Sequence, residues 1–346
     1  MNISADSSMQ KNISMVMVPF QIVVTKNVIV VILCITINYI NGTLVHTFFR
    51  HEIFKENPRY ILFIHLVLND MIQLIISALL HVIRYIFFKV NVSFCCFLLI
   101  IAIFTTLNTP LNLAGMAFEC YIAVCNPLRH TQICTVSRTY ILIGIIWAVG
   151  AISILSDLFL LLATESNEFF LSAIFCHRDQ LFRHAFMKNK RDISHAICLS
   201  FVWLILVFTY FKILFAAKAV NKDARKARNT ILLHAAQLLL CMSTYIGPPL
   251  QNLIMYISPI NVPHKQFIMY LIIHILPRFL SPILYGLRDK SFRKYFKRYF
   301  LCNVKVRESA LICEENRAPM ADLPILVVSC ECQSSCTALG CEDRSY

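Results

Sequence analysis

The sequence predicts an all-α membrane protein: a bundle of seven transmembrane helices, followed by a short eighth helix lying in the membrane interface. Three observations carry that prediction. Of 346 residues, 58% are hydrophobic and only 15% charged, whereas soluble domains carry about 25% charged residues. A water-soluble fold of this length could not cover so much apolar surface. The apolar residues gather into seven segments, each with the roughly 20 residues a helix needs to cross hydrocarbon, where lipid gives backbone groups no hydrogen-bond partner. The basic residues gather between those segments.

The predicted spans are Ile22–Phe49, Pro58–Phe88, Phe94–Val124, Thr139–Ala163, Ile193–Ala217, Thr230–Ile257 and Gln266–Leu287. Basic clusters fall in alternate connections: Arg50, Lys55 and Arg59; Arg129 and Arg138; Lys218, Lys222, Arg225, Lys226 and Arg228; then Arg288 to Arg298. The positive-inside rule puts these in the cytoplasm, with the amino terminus outside. Lys188, Lys190 and Arg191 form a counter-cluster, expected in the second outer loop. The first 20 residues are polar and lack a cleavable signal, so the first span is expected to serve as the anchor. The expected organisation is an extracellular tail over 1–21, the seven-helix domain over 22–287, an interfacial helix over 288–301 and a flexible cytoplasmic tail over 302–346. The interfacial helix follows from Phe292, Tyr295, Phe296 and Tyr299, which recur at helical spacing among basic residues.

The net charge of +13 raises a nucleic-acid reading, but its loop-by-loop distribution and the lack of a soluble basic domain argue against it. No nucleophile–base–orienter set or glycine-rich phosphate loop is present, so no enzymatic activity and no cofactor are expected. Cys313, Cys330, Cys332, Cys336 and Cys341 in the tail match no zinc spacing. Cys302 is a candidate for palmitoylation. Asn2, Asn12 and Asn91 begin glycosylation sequons on expected outer segments, while the sequon at Asn41 lies within a span. The two halves show no repeat symmetry, which counts against a transporter built from inverted repeats. Asp70 stands mid-span, where a carboxylate costs a few kcal/mol unless paired.

The stretch Met116-Ala-Phe-Glu-Cys-Tyr-Ile-Ala-Val-Cys-Asn-Pro-Leu-Arg-His130 resembles the MAYDRYVAICNPLRY signature of odorant receptors, a family of rhodopsin-like G-protein-coupled receptors. Cys120 stands where that signature has its arginine. Further resemblances run along the chain. Asn41 and Asp70 match the family's buried polar positions, and Pro58-Arg-Tyr60 is similar to its PMY. Lys226 to His234 is similar to KAxxTCxxH, with Ile231 for the cysteine, and Ser281 to Arg288 to NPxIYxLR, with Ser281 for the asparagine. The variants look most like fish odorant receptors.

The resemblance implies a disulfide between Cys95 and Cys176, with the adjacent Cys96 as the alternative. It implies an activation switch built on Asn41, Asp70 and Ser281, a cluster of the kind that can hold a sodium ion, together with Pro282, Tyr285 and Tyr210. Around Glu119, Cys120 and Tyr121 the expected arginine is missing, and a thiol has neither the charge nor the five donors of a guanidinium. Glu119 is therefore expected to pair with Arg129 or the Lys222–Arg228 run. By analogy the ligand pocket lies among Ala102, Ile103, Thr106, Leu107, Ser194, His195, Cys198, Tyr245 and His274. Ala102 leaves a cationic amine without a counter-ion, and the basic outer loop and histidines favour an anionic or polar ligand. The implied function is odorant reception at the plasma membrane. A small molecule binds outside, and a heterotrimeric G protein of the stimulatory type raises cyclic AMP inside. The alternatives are a non-olfactory chemosensory receptor on the same scaffold, or a membrane transporter or channel.

Overall fold

A computed structural model describes residues 20–87, 89–219 and 262–280, with Leu232, Ala235, Ala236 and Leu239 alone between the last two stretches. Those four residues apart, the predicted sixth span lies outside the described residues, as do the interfacial helix, residues 1–19 and the carboxyl-terminal tail. Five long helices dominate: α1 (Phe20–Arg50), α2 (Pro58–Ile86), α3 (Val92–Cys125), α4 (Val136–Thr164) and α5 (Ala185–Ala219). All five are long and apolar enough to cross a membrane. The start of the predicted seventh span follows as an α-helix, Val262–Tyr270, that continues into a π-helical turn, Leu271–Ile275.

The starts of three helices are written in single residues. Asn57 accepts a hydrogen bond from the Arg59 amide, with Pro58 in the first turn of α2. Asn91 accepts from the amides of Ser93 and Phe94 to open α3, and Thr135 accepts from that of Arg138 to open α4. Asn91 also closes β1 (Val90–Asn91), which pairs with β2 (Ala173–Ile174): Val90 pairs with Ile174 and Asn91 with Ala173 in an antiparallel two-residue ladder.

Each outer helix buries one stripe and leaves the opposite stripe apolar and exposed. On α1 the buried residues include Val30, Ile37, Asn41, Leu44 and Phe48, while Ile32 and Ile35 face out. On α4 Ile146, Gly150, Ile154, Asp157 and Leu161 point inward, opposite Ile152, Leu155 and Phe159. On α5 the stripe runs Arg191, His195, Leu199, Val202, Leu206, Thr209 and Ile213. These intervals of three and four are the helical period. Apolar outward faces are what lipid, rather than water, requires. α3 is the hub, packing against α2, α4 and α5, and α1 packs on α2.

Two expectations need correction. Lys188, Lys190 and Arg191 do not lie in a loop: they occupy the first turns of α5, which begins eight residues before the predicted Ile193. Hydropathy detects the part of a helix in hydrocarbon, and this helix extends beyond it. The third helix begins at Val92 rather than Phe94, because Asn91 supplies the cap.

Candidate functional site

At one end of α3, Glu119 is buried and carries two basic partners. Its Oε1 lies 3.1 Å from His130 Nε2, and its Oε2 lies 3.5 Å from Arg59 Nε. Arg59 Nη2 also reaches Cys120 Sγ at 3.8 Å. The expected partner Arg129 is exposed and the Lys222–Arg228 run lies outside the described residues. The acid's partners come instead from the first turn of α2 and from the Pro127–Ile133 helix. Proximity in space, not along the chain, decides the pairing. Tyr121 meets Phe208 of α5 at 5.6 Å between ring centres, and Tyr210 packs edge-on to Phe211. Cys134 lies just beyond this cluster and outside the spans. Burial, then the Glu119 carboxylate, push its thiol above the ordinary range, against the opposing pull of Arg138.

Along the middle of the bundle α2 and α3 are joined by side-chain amides. Asn69 donates to the Thr105 carbonyl (2.8 Å) and to Thr109 Oγ1 (2.9 Å), Gln73 to Thr106 Oγ1 (2.6 Å), and Asn112 to the Leu62 carbonyl (3.0 Å). Asp70 is buried beside this ladder on α2, and Asn41 is buried on α1. Neither carboxamide atom of Asn41 has a hydrogen-bond partner among the described residues. Pro110 lies inside the continuous α3 in the same region, where neighbouring threonines bond back to the backbone: Thr105 Oγ1 donates to the Ile101 carbonyl and Thr109 Oγ1 to that of Thr105. Ser281, Pro282 and Tyr285 lie outside the described residues.

At the opposite end, Cys95 of α3 is joined to Cys176, with Cα atoms 5.6 Å apart. Val92, Leu99, Leu161, Leu181, Phe182 and Met187 pack around the bond. The disulfide holds the stretch after β2 against the bundle. A cavity of about 410 Å³ opens beside it, between the last turns of α2, the Phe175–Gln180 stretch and the final described helix. His274 lines this cavity; Ala102, Ile103, Thr106, Leu107, Ser194, His195 and Cys198 do not. Thr106 turns to Gln73 of α2, Ile103 packs toward the disulfide cluster, and His195 is buried on the inward stripe of α5. Tyr245, Cys302, Asn2 and Asn12 lie outside the described residues. Asn91 is exposed, but its side chain is engaged: Oδ1 caps α3 and Nδ2 reaches the Leu171 carbonyl at 3.4 Å.

Three features were missed in the sequence. Asp157, inside the predicted fourth span, pairs with Lys190 Nζ at 2.7 Å, and Lys190 also contacts Ser156. The signal was present, since an acid within a span and an anomalous outer cation imply each other. Arg278 is buried and donates to the carbonyls of Ile273 and His274; four residues beyond Ile273 stands Pro277, which has no N–H to give that carbonyl. Arg59 as the partner of Glu119 had one clue: it replaces the methionine of the PMY motif while Cys120 replaces the arginine of the signature.

The sequence comparisons agree with this architecture. Residues 40–285 match the family described as 7 transmembrane receptor (rhodopsin family). The chain is 28% identical over 285 residues to Odorant receptor 131-2 of the zebrafish Danio rerio, covering 81% of this chain and 87% of that protein. It is 30% identical over 202 residues to Olfactory receptor 5H19 of Mus musculus, covering 54% of this chain and 63% of the mouse protein. Human Olfactory receptor 51B2 is 26% identical over 189 residues, covering 52% and 59% respectively. With five membrane-crossing helices hubbed on α3, and a family match over more than half its length, the chain belongs to the rhodopsin family of seven-transmembrane receptors, among relatives named as odorant receptors.

Proposed function

We propose that this protein is an odorant receptor of the plasma membrane that couples an external small molecule to a stimulatory heterotrimeric G protein. Thr230–Ile257 completes a seven-helix bundle, and residues 288–301 form an eighth helix in the interface. The disulfide end faces out and the Glu119 end faces the cytoplasm, in line with the positive-inside reading. A ligand at the disulfide end biases a pre-existing equilibrium between resting and active arrangements. The Glu119 end, with the Asn126–Arg138 segment and the basic run at Lys218–Arg228, engages the G protein.

The observation that carries this reading is the arrangement along α3. A disulfide-anchored cavity lies at one end, a paired buried acid at the other, and a ladder of side-chain amides joins α2 to α3 between them. Such a ladder has alternative hydrogen-bonding partners and can re-register, whereas a purely apolar seam has only one well-packed state. Asp70 and Asn41, whose carboxamide has no partner among the described residues, stand on helices that pack together. A sodium ion between these helices would take its counter-charge from Asp70 and a neutral ligand from Asn41 Oδ1.

The test is expression of the epitope-tagged chain at the cell surface with a cyclic AMP readout, against amino acids, bile acids, organic acids and amines. A ligand-dependent rise that vanishes in cells lacking the stimulatory G protein is expected. Ligand-dependent current or uptake persisting in such cells would instead make the chain a channel or transporter.

A further inference from the structure

The cavity at the disulfide end has an unbalanced lining. Arg84, His81, His177 and His274 contribute nitrogen groups and Gln180 and Gln266 contribute amides; among the described residues no aspartate or glutamate lines the cavity. Its volume of about 410 Å³ falls within the range of small-molecule sites. The walls are also built rather than incidental. The disulfide at Cys176 holds the residues on either side of it, Phe175 and His177, at the cavity edge. Arg84 lies over the Phe175 ring at 5.8 Å, and His81 stacks on Tyr270 at 4.2 Å. Tyr270 is held in turn by Ser77, with oxygens 3.2 Å apart. Behind that wall Lys26 Nζ sits 5.4 Å from the Phe267 ring centre, adding a second cation near the site. The π-helical turn Leu271–Ile275 presents Ile273 and His274 to the cavity, and such turns recur at functional sites.

A guanidinium backed by an aromatic ring and flanked by neutral donors is complementary to a planar carboxylate, which it binds through two parallel hydrogen bonds. An amine would meet like charge, and a neutral alcohol presents one uncharged oxygen where a carboxylate presents two charged ones to the guanidinium fork. We propose that this cavity binds a small organic acid. Arg84 grips the carboxylate, the histidines and glutamines contribute secondary contacts, and Phe175, Tyr270 and Ile273 cover its apolar body. This rests on the receptor reading for its physiological role, though not for binding itself. The test uses the purified full chain in detergent and follows thermal stabilisation by straight-chain, aromatic and amino-acid carboxylates, each beside its matched alcohol and amine. At least one acid is expected to stabilise the protein while its alcohol and amine do not. Arg84→Gln should weaken that acid about tenfold or more, with Arg84→Lys intermediate and His177→Ala, at a half-buried position, as a second probe. Equal stabilisation by the matched alcohol, unchanged affinity in Arg84→Gln, or no stabilisation by any acid would overturn the proposal. Acid binding without a cyclic AMP response would count against the signalling reading and leave this site standing.

A separate observation lies at the Glu119 end. The family signature places an arginine next to the acid on the same helix, and this chain has Cys120 there. A guanidinium is nevertheless present at that place, because Arg59 reaches across from α2 to both Glu119 and Cys120. We infer that the resting ion pair has been moved from within α3 to the α2–α3 contact. His130 takes the other carboxylate oxygen, so one acid joins α2, α3 and the Pro127–Ile133 helix. An ion pair between helices resists their separation, which a pair within one helix cannot do. The expected result is that Arg59→Met raises ligand-independent G-protein activation several-fold at matched surface expression. Cys120→Arg in the Arg59→Met background should return it toward the starting level, and Arg59→Lys should stay near it. Unchanged basal activity in Arg59→Met, or failure of Cys120→Arg to restore it, would refute the inference. Should Arg59→Met not reach the surface, recovery of surface expression by the double substitution reads out the same coupling, and its failure refutes it.

Discussion

Asp157 and Lys190 show how a residue normally excluded from hydrocarbon becomes tolerable. The carboxylate is buried on the inward stripe of α4, and the first turns of α5 bring an ammonium to 2.7 Å from it. Removing one partner leaves the other desolvated, and that is the costly event. Lys190→Met alone should therefore destabilise the protein by about 1–3 kcal/mol, a range discounted for partial exposure of the lysine. The double change Asp157→Asn with Lys190→Met should cost less than Lys190→Met alone. Thermal unfolding of the four-member cycle in detergent measures this, and simple additivity would refute the coupling. Cys134 offers a second reading at this scale. Its thiol is held protonated by burial and by Glu119, so little thiolate exists near neutrality. Alkylation followed by peptide mapping should find Cys134 slower than an unperturbed thiol at neutral pH, speeding as pH rises. Neutralising Glu119 as Gln should accelerate it.

At the scale of elements, close helix contact depends on small residues, since packing rather than water exclusion drives helix association in lipid. Gly150 of α4 is such a point: a Cβ there would lie 2.8 Å from Asn108 Oδ1 and 3.1 Å from the Phe104 ring. Gly150→Ala should cost about 1–3 kcal/mol through overpacking, seen as a lower unfolding temperature and reduced surface expression, whereas Gly144→Ala, with open space around it, should be near neutral. The disulfide is a constraint of a different kind. It closes a loop of 81 residues in sequence separation, and replacing both cysteines by alanine should cost about 2–5 kcal/mol. It should also weaken the organic-acid site, because Phe175 and His177 lose their anchor. The elements themselves were largely legible, since long apolar runs report helices directly. Their ends were less so: Asn91 as a cap moved the start of α3, and Lys188 to Arg191 hid the first turns of α5 beneath polar composition. Contacts between elements were hardest to read. Glu119 and Arg59 lie 60 positions apart, and nothing in either residue's own neighbourhood names the other. Among the described residues of the predicted pocket set, His274 alone lines this cavity: the analogy pointed between the third, fifth, sixth and seventh helices, whereas this cavity opens between α2, the Phe175–Gln180 stretch and the last described helix.

For the whole molecule, the organising fact is that apolar residues lie both inside and outside. Ile152 is 68% exposed at the middle of α4, and Ile32, Phe159 and Leu204 are exposed on α1, α4 and α5. Ile152→Lys should impair membrane integration by about 2.5–3.5 kcal/mol, measured as the fraction of newly made chains that insert. The same change on a soluble protein's surface would be silent, so a tolerated Ile152→Lys would contradict the assignment of that face to lipid.

The length of α5 has a mechanical meaning. Its 35 residues make a rod of about 50 Å, well beyond the roughly 30 Å of hydrocarbon. Lys190 ties that rod to α4 near its first turn, leaving roughly 40 Å of helix beyond the tie. A rod pinned near one end is a lever. Tilting it by about 2° about that tie would displace the far end by roughly 1.5 Å, the scale of helix shift that switches other packed interfaces. A rearrangement too small to see near the disulfide is thereby magnified, by geometry alone, where Phe208 meets Tyr121 and beyond.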